Sequence, residues 1–331
     1  MAKPKSRLNQ RSKRGDSNRR DFLRQIAAGG LAGAAVYCSV APRSSRAQAV
    51  TEPPVTKKAP LLPTIKIGDK TITRLVAGGN PVQGYSHSTQ NLARHMMEYF
   101  TVEQTAQFVL YCEQVGINTF QVSYSDKVRD ALRLAWERGS KIQWICLTSD
   151  APGHAPLETV LPLKPIAVVH HGVTTDNLFR EGKTDQISDY IKKVHDAGLL
   201  AGMSTHDPLH VRTAEEAGWE NDFFMTCFYN VVRTEEEIKS QLGAIPLGEL
   251  FLPDDPKAMT ETIRQSRKPC LGFKILAAGR LCWNPYSVQQ AFAFAFRNIK
   301  PSDGVIVGMY PRFKDEPQEN ALLTRKYGAV A

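Results

Sequence analysis

Between residues 72 and 308 a short apolar run rich in β-branched side chains recurs eight times, and most of these runs are followed by a stretch with helical spacing. The runs lie at residues 72–78, 118–122, 142–148, 165–170, 199–204, 223–229, 270–276 and 305–308. Most are apolar nearly throughout and do not alternate with polar residues, which is the pattern of parallel strands covered on both faces. Strands that alternate with helices build a parallel sheet with the helices packed against it. Eight such units favour a closed sheet, because closure removes the edges that an open sheet has to protect. The sequence therefore predicts an α/β chain in which residues 71–331 form a single-domain (β/α)8 TIM barrel.

Helical spacing is clearest over residues 101–115, where Phe108, Tyr111, Cys112 and Val115 recur on one side and Gly116 ends the pattern. Further helices are expected at 126–138, 187–197, 287–296 and 317–327, with Pro208 opening another at the first helical position. Residues 81–100, between the first strand and its helix, make a long connection of the kind that walls or covers a barrel mouth.

Charge separates the two ends of the chain. Residues 1–49 carry 11 of the 42 basic and 2 of the 33 acidic residues, so the remainder balances at 31 of each. The basic character belongs to that leading segment and gives no ground for nucleic-acid binding by the rest. Lys3, Lys5, Arg7, Arg11, Lys13 and Arg14 form a basic start, followed by Arg19-Arg20-Asp21-Phe22-Leu23-Arg24, which resembles a twin-arginine export motif. Residues 26–40 are Ala- and Gly-rich, too short and too small-chained for a stable membrane anchor. Ala47-Gln48-Ala49 has the small-x-small form of a cleavage site. The expectation is a cleavable twin-arginine signal peptide over 1–49, then a short Pro-rich linker and entry segment over 50–70 containing Pro53, Pro54, Pro60 and Pro63. The twin-arginine translocase is the partner this implies, and the periplasmic or extracellular space the destination. Beyond the signal, Cys112, Cys146, Cys227, Cys270 and Cys282 are odd in number and lack paired spacing, so no disulfide framework is expected.

Barrel sites lie where strands end, so the polar residues just past each run are the candidates. They are Gly79, Asn80, Ser86 and His87; Ser123, Tyr124 and Asp126; Ser149 and Asp150; His170 and His171; Thr205, His206 and Asp207; Tyr229 and Asn230; Lys274; and Met309 and Arg312. His170 and His171 are adjacent, so on a strand only one of them faces the mouth.

Six segments in order resemble the aldo-keto reductases. Gly116-Ile117-Asn118-Thr119-Phe120 is similar to the family's second strand, and Val168-Val169-His170 to the strand that ends in its active-site histidine. Gly202-Met203-Ser204-Thr205 and Phe228-Tyr229-Asn230-Val231-Val232-Arg233 resemble the next two signatures. Phe273-Lys274-Ile275-Leu276-Ala277-Ala278-Gly279 is similar to Tyr-Ser-Pro-Leu-x-x-Gly, and residues 305–308 with Glu319-Asn320-Ala321 to the closing segment. The resemblance implies an NADP(H)-linked oxidoreductase acting on a small carbonyl or sugar-type substrate. It assigns Ser204, Thr205, Asn230, Phe273, Gly308, Arg312, Glu319 and Asn320 to the cofactor and His170 to polarising a substrate oxygen. The family's catalytic tetrad is otherwise replaced: its Asp position reads Gln121, its Tyr position Asp126 with Tyr124 nearby, and its Lys position Ser149 or Asp150. Tyr124 or Asp126 is then the candidate for proton transfer, although a tyrosine without its neighbouring lysine keeps a pKa near 10 and is a poor acid–base group at neutral pH.

Alternative readings stand beside this one. Lys274, at the end of a buried strand, is a candidate base or Schiff-base former. His87, His171, His206 and Asp207 offer donors for a metal-dependent lyase or isomerase, although no metal-ligand spacing is present. Asn80, His87 and His206 are candidate substrate contacts, and a non-catalytic barrel that binds a small ligand is the remaining reading.

Overall fold

A computed structural model describes residues 58–329. The expected signal over 1–49, and residues 50–57 of the expected linker, lie outside the described residues. The strands are β1 (Thr64–Ile67), β2 (Lys70–Thr73), β3 (Leu75–Gly78), β4 (Thr119–Ser123), β5 (Gln143–Thr148), β6 (Ala167–His170), β7 (Leu200–Thr205), β8 (Phe223–Cys227), β9 (Cys270–Phe273) and β10 (Gly304–Gly308). The last eight are parallel and close into a barrel in which β10 pairs with both β9 and β3. This is the (β/α)8 TIM barrel expected from the alternating runs.

The first run differs from the reading of the sequence. It is split at Arg74, whose buried guanidinium donates to the carbonyls of Asp303, Lys300 and Gly328. Ahead of that break, β1 and β2 pair as an antiparallel hairpin where a linker was expected. Ile65, Ile67 and Ile72 from the hairpin join Val76, Ile145, Val169, Phe223, Leu271 and Ile306 in one apolar cluster. Asn118 and Gln143, at the starts of β4 and β5, both donate to the carbonyl of Thr71. The hairpin therefore closes the N-terminal end of the barrel, and its isoleucines alternate because only one of its faces is covered.

A second, larger cluster lies between strands and helices and includes Phe108, Phe120, Trp144, Val168, Tyr190, Met203 and Phe224. Every barrel strand but β4 divides apolar side chains between these two layers; β4 adds Phe120 and Val122 to the outer one. Thr101 caps the helix Val102–Gln114 by accepting from the backbone of Gln104, and Gly116, at φ 99°, turns the chain into β4. The sequence pattern does not resolve the helices Gln90–Tyr99, Gly172–Arg180, Glu235–Leu242 and Asp255–Gln265. Gly172–Arg180 begins Gly-Val-Thr-Thr-Asp-Asn, residues of low helix propensity that here are held by packing and side-chain bonds.

Among the described residues Cys112, Cys146, Cys227 and Cys270 are buried and free, and Cys282 is exposed and free. No helix among them is long and apolar enough to cross a membrane.

Candidate active site

Strand parity decides which side chains reach the C-terminal mouth. On β6, Ala167 and Val169 belong to the interior cluster and Val168 to the helix-facing one. His170 consequently points outward, and His171, one residue on, points into the mouth. His170 is 2% exposed. Its Nδ1 lies 2.7 Å from the hydroxyl of Thr175, and its ring packs edge-on against Tyr190 of the helix Asp185–Asp196. The expected role of His170 at a substrate oxygen is therefore replaced by a structural one, and burial pushes its pKa down to about 4. The ring of His171 lies 4.3 Å from that of His154, and its Nδ1 is buried without a hydrogen-bond partner. Burial, then the neighbouring histidines, push its pKa down to about 3.

The same parity on β7 turns Ser204 and His206 inward and Thr205 outward, since Ala201 and Met203 belong to the helix layer. Gly172 sits directly over the inward pair: a Cβ there would stand 2.9 Å from Ser204 Oγ and 3.1 Å from His206 Cε1. One turn further along that helix, Asp176 is 1% exposed and its carboxylate is bonded on both oxygens. Oδ2 accepts from His206 Nδ1 at 2.7 Å; Oδ1 accepts from the Thr205 hydroxyl at 2.6 Å and from His210 Nδ1 at 3.0 Å. Burial alone would raise the pKa of this carboxyl, but the donors from His206, His210 and Thr205 carry it well below the usual carboxylate range. An ionised carboxylate only accepts, so the His206 proton sits on Nδ1 and Nε2 keeps its lone pair. Burial holds His206 below its ordinary pKa against the opposing pull of Asp176.

Across from this pair, Phe273 at the end of β9 sets its ring edge-on to His206 at 5.4 Å. Lys274 follows with φ 58°, its Nζ 5.2 Å from the centre of the Phe273 ring. His87 is held on both nitrogens, Nδ1 donating to Glu249 at 2.8 Å and Nε2 accepting from Asn80 at 3.2 Å. Arg280 donates to the carbonyl of His87 and stacks over Phe251 at 3.9 Å, which ties three loops together at the rim.

Other expected residues lie elsewhere. Tyr124 packs against the helix-side layer and its hydroxyl donates to the exposed Asp126, which pairs with Arg129. They form a surface group on the outer side of β4, away from the inward-facing histidines. Asp207 caps the helix Pro208–Glu216 through Leu209 and accepts from the Asn230 amide at 3.1 Å, so both residues serve to join neighbouring loops. The metal alternative built on His87, His171, His206 and Asp207 is not assembled: among the described residues no three His, Cys, Asp or Glu side chains converge to hold an ion.

The cofactor set divides. Ser204 and Phe273 face the mouth, and Gly308 ends β10 exposed. The Thr205 hydroxyl is committed to Asp176, Glu319 is paired with Lys314 at 2.6 Å, and Asn320 is buried. Arg312 is exposed beside the rings of Tyr99 and Phe313. Ser204 and Phe273 thus lie where a flat ring could stack, whereas of the adenosine-end set Glu319 and Asn320 are already engaged or buried and Arg312 is exposed without a carboxylate partner among the described residues.

Sequence reasoning missed Asp176, the group that orients His206. Its signal is faint: an acidic residue six positions beyond a strand-end histidine, inside a segment without helical spacing.

No protein-family model matches the chain, and no curated protein matches it. Similar solved structures include a truncated 3-deoxy-D-arabino-heptulosonate 7-phosphate synthase from Thermotoga maritima, 12% identical over 80% of this chain and 91% of that one, with a TM-score of 0.47. A glycerol dehydrogenase from Gluconobacter oxydans is 11% identical over 81% of this chain and 90% of that one, with a TM-score of 0.46. An N-acetylneuraminic acid synthetase from Leptospira borgpetersenii serovar Hardjo-bovis is 11% identical over 81% and 88%, with a TM-score of 0.39. Likeness at this level says nothing about activity.

Proposed function

We propose that the barrel mouth is the active site of an enzyme that moves protons on a small oxygen-rich substrate of carbonyl or sugar type. The observation that carries this reading is the Asp176–His206 pair: a buried carboxylate holds Nδ1–H at 2.7 Å and leaves Nε2 free as a base. A neutral imidazole with a lowered pKa is ready to take a proton at neutral pH, and Asp176 stabilises the imidazolium that results. Lys274, next to Phe273, supplies positive charge at the same mouth. The test is loss of proton signals by NMR when small 2-oxo and hydroxycarbonyl compounds are incubated with the protein in heavy water. Exchange that vanishes in His206→Asn supports the reading; equal exchange in that variant ends it.

A second reading, an NADP(H)-linked oxidoreductase with an aldo-keto-reductase-like barrel, is favoured by the ordered sequence resemblance and by Ser204 and Phe273 facing the mouth. By the resemblance the tetrad's Asp, Tyr and Lys positions read Gln121, Asp126 and Ser149 or Asp150, so this reading extends to binding of the cofactor and not to a hydride step. Titration with NADPH decides it: micromolar binding raises the melting temperature by mass action, and an unchanged melting temperature rejects the cofactor.

Export rests on the leading segment alone. We propose passage through the twin-arginine translocase to the periplasmic or extracellular space, with Arg19 and Arg20 as the recognised pair. Replacing both with Lys is expected to retain the full-length chain inside the cell, read by fractionation.

A further inference from the structure

We propose that the loop following β9 is an oxyanion site, in which Lys274 binds a carboxylate or phosphate carried by the substrate. The inference deepens the acid–base reading and rests on it for the placement of the reacting carbon beside His206.

Lys274 is half-buried at the mouth, yet its Nζ forms no ion pair or hydrogen bond among the described residues; it lies over the Phe273 ring. A lysine in such a position usually finds a carboxylate, and the two nearby acids are already engaged. Glu249 gives both oxygens to His87 Nδ1, at 2.8 and 2.9 Å. Asp176 is surrounded by the donors of His206, Thr205 and His210. The mouth thus presents a partly desolvated cation that feels the Glu249 carboxylate only at a distance and touches no carboxylate directly among the described residues.

The backbone adds donors. Lys274, Ala277 and Ala278 have φ of 58°, 49° and 50°, three of the five non-glycine residues in the left-handed region among the described residues. Left-handed backbone is costly for a residue with a Cβ, and strain gathered in so short a stretch is the usual mark of a ligand clamp. The N–H groups of Ala277, Gly279, Arg280 and Leu281 close the curl on itself. Those of Ile275 and Leu276 take no acceptor among the described residues, leaving two donors next in sequence to Lys274. Successive free N–H groups in a turn with left-handed residues form an anion-binding concavity. Arg280 is fixed at the edge of the same loop through Ala277, His87 and Phe251, and so adds positive potential. An anion at Lys274 would leave the adjoining carbon of a short substrate over Phe273, next to His206, whose ring is 5.4 Å away.

Isothermal titration of the protein with inorganic phosphate and with malonate tests the site. One of the two should bind at millimolar strength or better, and preference for phosphate assigns a phosphate ester while preference for malonate assigns a carboxylate. Lys274→Gln should weaken that binding by about tenfold or more, and Lys274→Arg should retain it within about threefold, since charge-assisted bonds to the anion are the strong ones. Circular dichroism shows that each variant is folded. No binding of either anion to the unaltered protein, or equal binding to Lys274→Gln, overturns the proposal. His206→Asn should bind the anion as before, so failure here is separable from failure of the acid–base reading.

Discussion

The two ends of the barrel are built from the same eight strands and have opposite chemistry. At the N-terminal end Ile65, Ile67 and Ile72 of the hairpin meet Val76, Ile145, Phe223 and Leu271, with no ionisable side chain in the cluster. At the C-terminal end, His171, His206, Asp176, Glu249 and Lys274 crowd the mouth, where Asp176 holds His206 and Glu249 holds His87 through hydrogen bonds in place of apolar contact. On β7 the change takes four residues, from the Gly202 that Phe223 packs on to the His206 that Asp176 orients. One end is packed with apolar side chains and the other with hydrogen-bonded polar ones, the division between stability and activity that this fold leads one to expect.

Breaking the apolar end should give the largest effect. Phe223→Ala removes a fully buried ring from the interior and is expected to cost about 3–5 kcal/mol in urea unfolding. Asp176→Ala sharpens the contrast. It strips three donors of their buried acceptor, for about 1–3 kcal/mol, and should slow His206-dependent proton exchange by about a hundredfold or more.

Acid should weaken the protein through the histidines at the mouth end of β6. Folded His170 and His171 have pKa values pushed to about 4 and about 3, whereas the unfolded rings titrate near 6.5. Between those limits the unfolded chain binds more protons, so stability falls as pH drops from about 6.5 toward 4, by up to about 1.4 kcal/mol per unit for each ring. Asp176, whose pKa is lowered, adds its own loss only below the ordinary carboxylate range. A melting temperature that stays flat between pH 7 and about pH 4.5 would contradict this. The smallest effect belongs to the outer surface: Tyr124→Phe removes a bond to an exposed carboxylate and should change stability by less than about 0.5 kcal/mol and leave exchange untouched.

Much of the site was legible as a set of positions and little of it as a set of roles. Strand ends pointed to His87, His171, His206 and Lys274, all of which reach the mouth. Strand ends and the resemblance pointed alike to His170, Tyr124 and Thr205, which turn toward the helices, because the end of a strand does not by itself show which way its last residue faces. Asp176 was invisible because Gly172–Arg180 has weak helix propensity and its partner is 30 residues away in sequence.

The sequence alone determined the eight repeating units, and with them the closed parallel barrel and the end of it that carries chemistry. Tertiary structure decided that His171 and not His170 enters the mouth, that Asp176 holds His206, and that Lys274 makes no direct ion pair among the described residues. The physical reason lies in the strands. A strand buried on both faces is apolar on both, so its sequence carries no alternation to label the inner side. Only closure of the barrel assigns each residue to its layer.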